Sequence, residues 1–213
     1  MAGFAAQLLI ASAALAAAPP GPASPARRLP PVDQCSANPS FAAFRRGLDQ
    51  AIARRDRAAL LAALADDVLV DFGGGAGRDA FAKIWFADRP SEDALWAKLE
   101  RILGLGCAAS GDNYLAPSLV AQFDPMLDAT EVRIAGAGTP LLGEPRDSAR
   151  VLALLDWDIL TVGSFDGAWL PVSLADGRNG FVRADQVHSP MDYRLTFERI
   201  GGSWRITSFV AGD

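Results

Sequence analysis

The sequence predicts an α+β protein in which a small all-β part is inserted into a helix-rich part. Apolar residues between positions 41 and 103 recur mostly at spacings of three and four, the period of amphipathic helices. From position 130 onward, short apolar runs are separated by turn residues about every 8–12 positions, which is typical of an all-β fold. The last stretch, 190–213, has the pattern of one more β-hairpin.

Length and charge limit the classes of function. The chain has 213 residues, enough for one ordinary domain or two small ones, and half of them are hydrophobic, which favours a packed core. It carries 25 acidic and 20 basic residues, for a net charge of −5. Because non-specific nucleic-acid binding requires a basic footprint, we expect no nucleic-acid partner.

Residues 1–18, "MAGFAAQLLIASAALAAA", are similar to a secretory signal peptide. They form an apolar run without a charged side chain and end in small residues suited to a cleavage site. No Lys or Arg precedes the run, which leaves the true start codon open. The alternative is an uncleaved membrane anchor, for which the run is barely long enough. We expect a periplasmic or secreted protein with no stable membrane span after cleavage.

Residues 19–40 include "PPGPASPARRLPP" and predict an extended, poorly ordered linker. The sequence has two cysteines, Cys35 and Cys107. In an exported chain such a pair predicts a disulfide, with two free buried thiols as the alternative. Two cysteines and one histidine, His188, cannot complete a four-ligand zinc site, so we expect no metal.

The helix-rich part covers residues 41–127. Its apolar periodicity predicts a long helix at 41–67 that breaks near Arg55 and has Ser40 as its N-cap. The glycine cluster at 73–77 follows a predicted strand, but its spacing does not match a phosphate-binding loop, so a tight strand-to-helix turn is favoured. The remaining predicted elements are a strand at 68–72, helices at 78–86 and 92–103, and a weaker strand at 114–123.

Residues 128–189 contain three short β-rich motifs, "PLLGEPRDSARVLALL", "DILTVGSFDGAWLPVSL" and "DGRNGFVRADQV". In their order and spacing they resemble the bacterial SH3-like domain. The first motif matches the opening turn and first long strand of that family, and the second matches the next two strands. Trp169 in the second motif stands at the position where the family usually has a tryptophan. "DGRNGFVRADQV" matches the terminal hairpin, although Phe181 stands where the family often has tryptophan. The resemblance implies a small five-stranded barrel on an exported cell-envelope protein, with peptidoglycan or a peptide as ligand.

Strand alternation separates two faces of this predicted barrel. Leu170, Val172 and Leu174 share one face, so Trp169 lies on the other. If the aliphatic face fills the barrel, Trp169 points outward, and Trp157 and Phe165 are the other candidate ligand-binding residues. The alternative is that Trp169 plugs one end of the core.

The remainder, residues 41–127 with 190–213, resembles the nuclear-transport-factor-like fold. Its tail, "DYRLTFERIGGSWRITSFVAGD", predicts a hairpin that returns to pair with the strands of the helix-rich part. The SH3-like barrel is then an insertion before the last two strands. The resemblance implies a cone-shaped domain that encloses a pocket.

The sequence does not predict an enzyme. His188 lies at a strand end beside a proline and is interpreted as a surface linker residue. The paired carboxylates Asp66 and Asp67, and Asp156 and Asp158, are interpreted as solvated cap and turn residues. We therefore expect an exported binding protein without a cofactor. The alternatives are a structural or partner-binding envelope protein, and small-molecule binding in the helix-rich part.

Overall fold

The structure is a computed structural model that describes residues 27–163 and 167–212. The predicted signal peptide, 1–18, and the first part of the predicted linker lie outside the described residues. No helix in the described ranges is long and apolar enough to cross a bilayer. The helices are α1 (Pro39–Ala53), α2 (Arg57–Ala63), α3 (Arg78–Trp85), α4 (Arg89–Gly104) and α5 (Ser118–Gln122).

The strands of the described residues form two sheets, and the chain is an α+β protein. Short 3-10 helices lie at Cys35–Ala37 and Ala184–Gln186. The strands are β1 (Leu64–Leu69), β2 (Ala108–Ser110), β3 (Asn113–Ala116), β4 (Val132–Ala135), β5 (Thr139–Leu142), β6 (Val151–Leu155), β7 (Ile159–Val162), β8 (Trp169–Leu174), β9 (Asn179–Arg183), β10 (Val187–His188), β11 (Arg194–Ile200) and β12 (Ser203–Val210).

The tail of the chain supplies the centre of the first sheet, whose strand order is β1-β12-β11-β3-β2. β11 and β12 form a hairpin with Gly201 and Gly202 at its turn, where both have the positive φ that such a two-residue turn requires. β12 pairs in parallel with β1, and β11 pairs antiparallel with β3. The predicted return of the tail is confirmed, although β1 begins at Leu64, ahead of the predicted strand at 68–72.

An aromatic cluster joins α1 to the first sheet. The ring of Phe41 is 1% exposed and meets the rings of Phe197 and Trp204 edge-on, at centroid distances of 5.2 and 5.1 Å. Edge-to-face pairs of this kind add to the stabilisation that apolar burial provides. The helices therefore share their core with strands that come from the far end of the chain.

The second sheet has seven strands among the described residues, in the order β10-β4-β7-β8-β9-β5-β6, and all its neighbours are antiparallel. The aliphatic residues of β8, namely Leu170, Val172 and Leu174, are buried in its core as their alternation predicted. The sequence predicted a five-stranded barrel here. The sheet instead has free ends in the described part of the chain, because β10 pairs with β4 and not with β6.

Residues 27–38, which we call the N-terminal strap, contact both halves of the structure. Beside the second sheet, the N–H of Leu29 donates to the carbonyl oxygen of Trp157 at 2.8 Å. Beside the first sheet, the N–H of Cys107 donates to the carbonyl oxygen of Val32 at 2.9 Å. The prediction of a poorly ordered linker is wrong for the strap, because backbone pairing with distant segments fixes its path.

The predicted disulfide between Cys35 and Cys107 is present, so the alternative of two free thiols does not hold. Both residues are fully buried, and their Cα atoms are 5.6 Å apart across a sequence separation of 72. The neighbouring Gly106 has a φ of +73°, and a Cβ there would lie 2.1 Å from the carbonyl oxygen of Val32. Glycine thus permits the close approach of the strap at this point.

The first helix begins two residues earlier than predicted. The side chain of Asn38, and not that of Ser40, accepts hydrogen bonds from the backbone N–H groups of Ser40 and Phe41, at 3.1 and 3.3 Å. The Ser40 hydroxyl accepts a hydrogen bond from the indole N–H of Trp204 at 3.0 Å. The side chain of Ser40, which the sequence predicted as the N-cap, is therefore bonded to the distant tail.

Two further local predictions have different outcomes. The break in the long helix is confirmed, since α1 and α2 are separated at Arg55, which has a φ of +52°. The weak strand predicted at 114–123 is wrong in its second half, where β3 ends and α5 follows. Pro117 stands between them, and a proline has no N–H to donate to a sheet.

Candidate ligand-binding face

The outward-facing residues of β8 and β9 form a half-buried face with Trp169 at one end. Pairing of the two strands sets Trp169 opposite Arg183 and Pro171 opposite Phe181. All four side chains are partly buried, while the alternate residues of β8 fill the core. We call these four residues the outer face. The outward direction predicted for Trp169 is confirmed, and the alternative of a core plug does not hold.

A shallow groove runs beside the outer face. Pro171 and Phe181 line it together with three glycines, Gly143, Gly163 and Gly180. Gly143 and Gly163 are exposed, so a ligand can approach the main chain closely at these two points, whereas residues of β5 fill the space that a side chain at Gly180 would take. The groove therefore combines two apolar rings with accessible peptide groups, a combination suited to an extended polymer.

The positive charge of the outer face is paired with carboxylates. The Arg183 guanidinium lies over the ring of Trp169, with its Cζ atom 5.5 Å from the centroid. The same guanidinium pairs with Asp185 at 3.1 Å and with Asp147 at 3.2 Å. Hydrogen bonds to Asp185 and then to Asp147 raise the pKa of Arg183. Because two carboxylates lie against this one guanidinium, the face offers no unpaired positive charge and is unsuited to a strongly anionic ligand.

The structure separates the predicted ligand-binding residues. Leu160 pairs with Leu174 in the β7–β8 ladder, so Trp157 precedes one end of that ladder and Trp169 lies beyond the other. At about 3.4 Å per strand residue, the backbone positions of the two residues are offset by roughly 25 Å along the strands. Phe165 lies outside the described residues. Trp157 and Trp169 therefore do not form one site, because the strand register carries them to opposite ends of the sheet.

His188 packs at the junction of the two sheets. Its ring stacks on that of Trp157, with centroids 5.7 Å apart and planes at 20°. Its Nδ1 atom lies 3.1 Å from Nη2 of Arg101, which also donates to the carbonyl oxygen of Val187 at 2.6 Å. The interpretation of His188 as a surface linker residue is wrong, because α4 from the helix-rich part covers it.

This environment holds the pKa of His188 at about 4. Burial is the main cause, the positive charge of Arg101 adds to it, and Asp192 opposes it. The histidine of the folded chain is therefore neutral at neutral pH and is a weak base. Catalysis as a general base is disfavoured, because that role requires a pKa near the working pH.

We expect the ring signals of His188 to titrate with a midpoint near pH 4 in the folded protein, and near 6.5 in urea. Between these two values the unfolded chain binds a proton that the folded chain does not, so stability falls as the pH drops from 6.5 to 4 and then levels off. One histidine in the sequence makes the NMR assignment direct. In the variant Arg101→Gln the midpoint should rise, and a folded-state midpoint near 6.5 in the parent chain would contradict this assignment.

Asp158 is another buried junction residue. It is 2% exposed, and its Oδ2 atom accepts a hydrogen bond from the N–H of Asp156 at 2.8 Å. Its Oδ1 atom lies 3.9 Å from Arg28 of the strap and 3.8 Å from Arg178 of the β8–β9 turn. The interpretation of Asp158 as a solvated turn residue is wrong, because these two arginines converge on it. Asp66 and Asp67 are exposed as predicted, but they lie within β1 and not at a helix cap.

The described residues bring together no group of three His, Cys, Asp or Glu side chains that could hold a metal ion. In the glycine cluster, the N–H groups of Gly73 and Gly75 donate to Oδ1 of Asp71, at 2.7 and 2.9 Å. These amides are therefore occupied by a carboxylate, and the loop is the tight turn that the sequence predicted.

A cavity of about 140 Å³ lies between α4 and the segment that links β10 to β11. Its lining includes the charged side chains of Lys98, Arg101 and Asp192. The ammonium of Lys98 already lies over the Tyr193 ring, 4.9 Å from its centroid, and Arg101 is bonded to the main chain. Because both cations are engaged within the protein, this junction cavity offers less to a ligand than the outer face does.

No family model and no curated protein matches the sequence. The chain is similar in structure to an NTF2-like protein with a cystatin-like fold from Novosphingobium aromaticivorans, at 16% identity and a TM-score of 0.29, over 82% of this chain and 84% of that one. An NTF2-like protein of unknown function from Pseudomonas putida KT2440 gives 15% identity and a TM-score of 0.28, over 85% and 89%. A cystatin-like protein of unknown function from Nostoc punctiforme gives 11% and 0.26, over 84% and 92%. None of the three is described as SH3-like, and TM-scores this low carry no conclusion about function.

Sequence reasoning identified Trp169 but missed Phe181 and Arg183 as parts of the same face. The turn dipeptides around Gly177 predicted the hairpin, and the structure confirms it. Counting outward from a two-residue turn at Asp176-Gly177 would have set Phe181 opposite Val172, one residue out of the observed register, so the turn dipeptides indicated the hairpin but not its face. The ion pairs of Arg183 could not be counted in this way, because Asp147 comes from a different turn.

Proposed function

We propose that the chain is an exported, non-enzymatic binding protein whose second sheet is an SH3-like domain that binds cell-envelope material, peptidoglycan or a peptide, through the outer face. In this proposal residues 128–189 form the binding domain. Residues 41–127 and 190–213 form a single domain into which it is inserted. The observation that carries the proposal is the alignment of Trp169, Pro171 and Phe181 on one outward face beside a glycine-lined groove.

The chemistry of the outer face supports a polymer ligand. Aromatic and proline rings stack on sugar rings and on extended peptides, and an indole buries a large apolar area at low entropic cost. The uncovered backbone at Gly143 and Gly163 lets an extended chain lie close to the sheet. The ion pairs of Arg183 disfavour strongly anionic ligands.

The disulfide supports the exported location. Disulfides persist in oxidising compartments and are rare in the cytosol, where thiols are kept reduced. Cys35 and Cys107 are paired and fully buried. We accordingly place the protein in the periplasm or outside the cell, after removal of residues 1–18.

Two alternative functions use other parts of the structure. A small-molecule carrier would use the junction cavity, but the engagement of Lys98 and Arg101 within the protein weighs against it. A structural envelope protein would not need a surface that is accessible to a ligand. The outer face is such a surface, since no other described segment of the chain lies over it. The binding role therefore has the stronger support.

Retention on purified peptidoglycan sacculi tests the proposal. We expect the chain from residue 19 to be retained, and Trp169→Ala or Phe181→Ala to weaken retention by about tenfold or more, because truncating an aromatic anchor removes much of a binding energy. Sacculi stripped of their stem peptides separate glycan binding from peptide binding.

Phe72→Ala is the matched control. Phe72 is 54% exposed and carries Arg194 over its ring at 5.6 Å, which resembles the pairing of Arg183 with Trp169, but it follows β1 of the first sheet. It should leave retention unchanged. Equal retention of all variants, each folded by circular dichroism, would remove the binding role from the outer face.

A further inference from the structure

The first residues of the N-terminal strap pair with the second sheet in the manner of an added strand. Residues 27–29, which we call the latch, lie antiparallel to residues 157–159 at the start of β7, which we call the seat. Arg28 and Asp158 stand directly opposite one another. Two backbone hydrogen bonds of 2.8 Å flank the pair, one donated by the latch and one by the seat. Because opposite residues of paired strands share a face, the guanidinium of Arg28 approaches the carboxylate of Asp158.

The carboxylate of Asp158 is incompletely satisfied by this approach. It is 2% exposed, and its Oδ1 atom has no hydrogen-bond partner among the described residues. Nε of Arg28 lies 3.9 Å from it and Nη2 of Arg178 lies 3.8 Å from it, both beyond hydrogen-bond distance. A buried carboxylate oxygen without a hydrogen bond carries a desolvation cost. A guanidinium that came closer would therefore stabilise the seat.

Both arginines are shared with other carboxylates. Nη2 of Arg178 lies 2.7 Å from Asp176, and Nη1 of Arg28 lies 3.6 Å from Asp156. The seat is also strained, since Trp157 has a φ of +61°, which a bulky residue adopts only when its surroundings hold it there. An unsatisfied buried charge and a strained backbone therefore meet at adjacent residues, and such costly features cluster at binding sites.

We infer that the seat is a binding site for an extended peptide that carries an arginine, and that the latch is the intramolecular substitute for this peptide. The latch shows how the peptide lies, with its main chain paired to the seat and its arginine opposite Asp158. The latch is tethered, because the strap that follows it is bonded through Cys35 to Cys107. A separate peptide has no such tether and can bring its guanidinium to hydrogen-bond distance of Oδ1. The seat is distinct from the outer face, so the inference does not depend on the proposed function.

The latch competes with such a peptide. Because it belongs to the same chain, its effective concentration at the seat is on the order of millimolar, so a peptide should bind the closed chain weakly. The double variant Arg28→Ser/Leu29→Pro opens the latch, since it removes the guanidinium and the N–H that donates to Trp157. The Arg28 side chain is 57% exposed, so its loss should leave the rest of the fold intact.

Fluorescence anisotropy of a labelled RRLPP peptide, which copies residues 27–31, tests the inference on the chain from residue 19. We expect the opened variant to bind it about tenfold more tightly than the wild type does, or better. In the opened variant, Asp158→Asn should weaken binding by about tenfold or more, because a charge-assisted hydrogen bond is lost. The peptide RQLPP should lose as much, and it tests the same contact without altering the protein.

Two variants serve as controls in the opened chain. Asp147→Asn changes a 79% exposed carboxylate at another turn of the second sheet, and Trp169→Ala changes the outer face. Both should leave the affinity for RRLPP unchanged. Equal affinity of the wild type and the opened variant, each folded by circular dichroism, would overturn the inference, and so would equal affinity for RRLPP and RQLPP. Loss of binding in Trp169→Ala would place the peptide on the outer face, which overturns this inference and supports the proposed function.

Discussion

Deleting residues 191–213 is expected to unfold the helix-rich part of the chain. The deletion removes β11 and β12, which lie at the centre of the first sheet. β1 would lose β12, its partner in the sheet, and β3 would keep only β2. The packing surface of α1 would also be lost, because Phe41 meets the rings of Phe197 and Trp204.

The expected loss is as large as the stability of a whole domain. The deleted strands bury five large apolar side chains, each worth roughly 2 kcal/mol. Their sum of roughly 10 kcal/mol is comparable to the total unfolding free energy of about 5–15 kcal/mol for a typical domain. The buried residues are Leu195, Phe197, Trp204, Ile206 and Phe209.

Far-UV circular dichroism measures this outcome as a loss of helical signal. The second sheet ends at His188, so dispersed NMR signals from residues 128–188 should persist in the deleted chain. Two point variants calibrate the result. Phe197→Ala should cost about 3–5 kcal/mol, whereas Ile200→Ser, at a 47% exposed position of the same hairpin, should cost little. Intact helices after the deletion would show that the tail does not organise this part.

The features that the sequence predicted well depend on local patterns. The alternation in β8 showed which of its residues face the core, and paired glycines at 201–202 marked the tail hairpin, because such a turn needs positive φ at both positions. The apolar residues of the tail, among them Phe197 and Trp204, need a sheet and helices to bury them, which favoured its pairing with the earlier strands. Each of these inferences needed only spacing, turn chemistry or burial.

The features that the sequence did not predict depend on contacts between distant segments. His188 is half-buried and Asp158 is buried, and Arg101, Arg28 and Arg178 approach them from other elements. The strap is proline-rich, which predicts an extended linker, and nothing in its own residues shows that its amides pair with Trp157 and with the residues before β2. Composition describes the intrinsic preference of a segment and not the partners that the topology brings to it.

At the candidate site, a prediction from local pattern held and a prediction of a long-range contact failed. Trp169 was identified from strand alternation, which is local, and it lies on the outer face. Its grouping with Trp157 failed, because the register of β7 against β8 determines that distance and single-sequence patterns do not give the register of a sheet. Of the groove glycines, Gly143 follows β5, Gly163 follows β7 and Gly180 lies within β9, so only the folded structure shows them side by side.

Reducing the disulfide is expected to lower stability by roughly 4 kcal/mol. The bond joins Cys35 and Cys107 across a sequence separation of 72, and a cross-link of that span removes much of the conformational entropy of the unfolded chain. For a chain of this size the loss corresponds to a fall in Tm of about 10 °C. The strap has no helix or strand of its own between Arg27 and Gln34, so the covalent bond is its strongest tie to the first sheet.

Urea unfolding with and without reductant measures this effect, and the double variant Cys35→Ala/Cys107→Ala is its control. The variant should match the reduced wild type and should not respond to reductant.

Wild-type protein recovered from its native compartment should resist alkylation until it is reduced, and N-terminal sequencing of the same sample should find a start near residue 19. Full alkylation of both cysteines without reductant would mean that the chain matures in a reducing compartment. The strap would then be held by noncovalent contacts, among them the hydrogen bonds of Gln34 and Val32 with the backbone of Cys107 and the ion pair of Arg27 with Asp124.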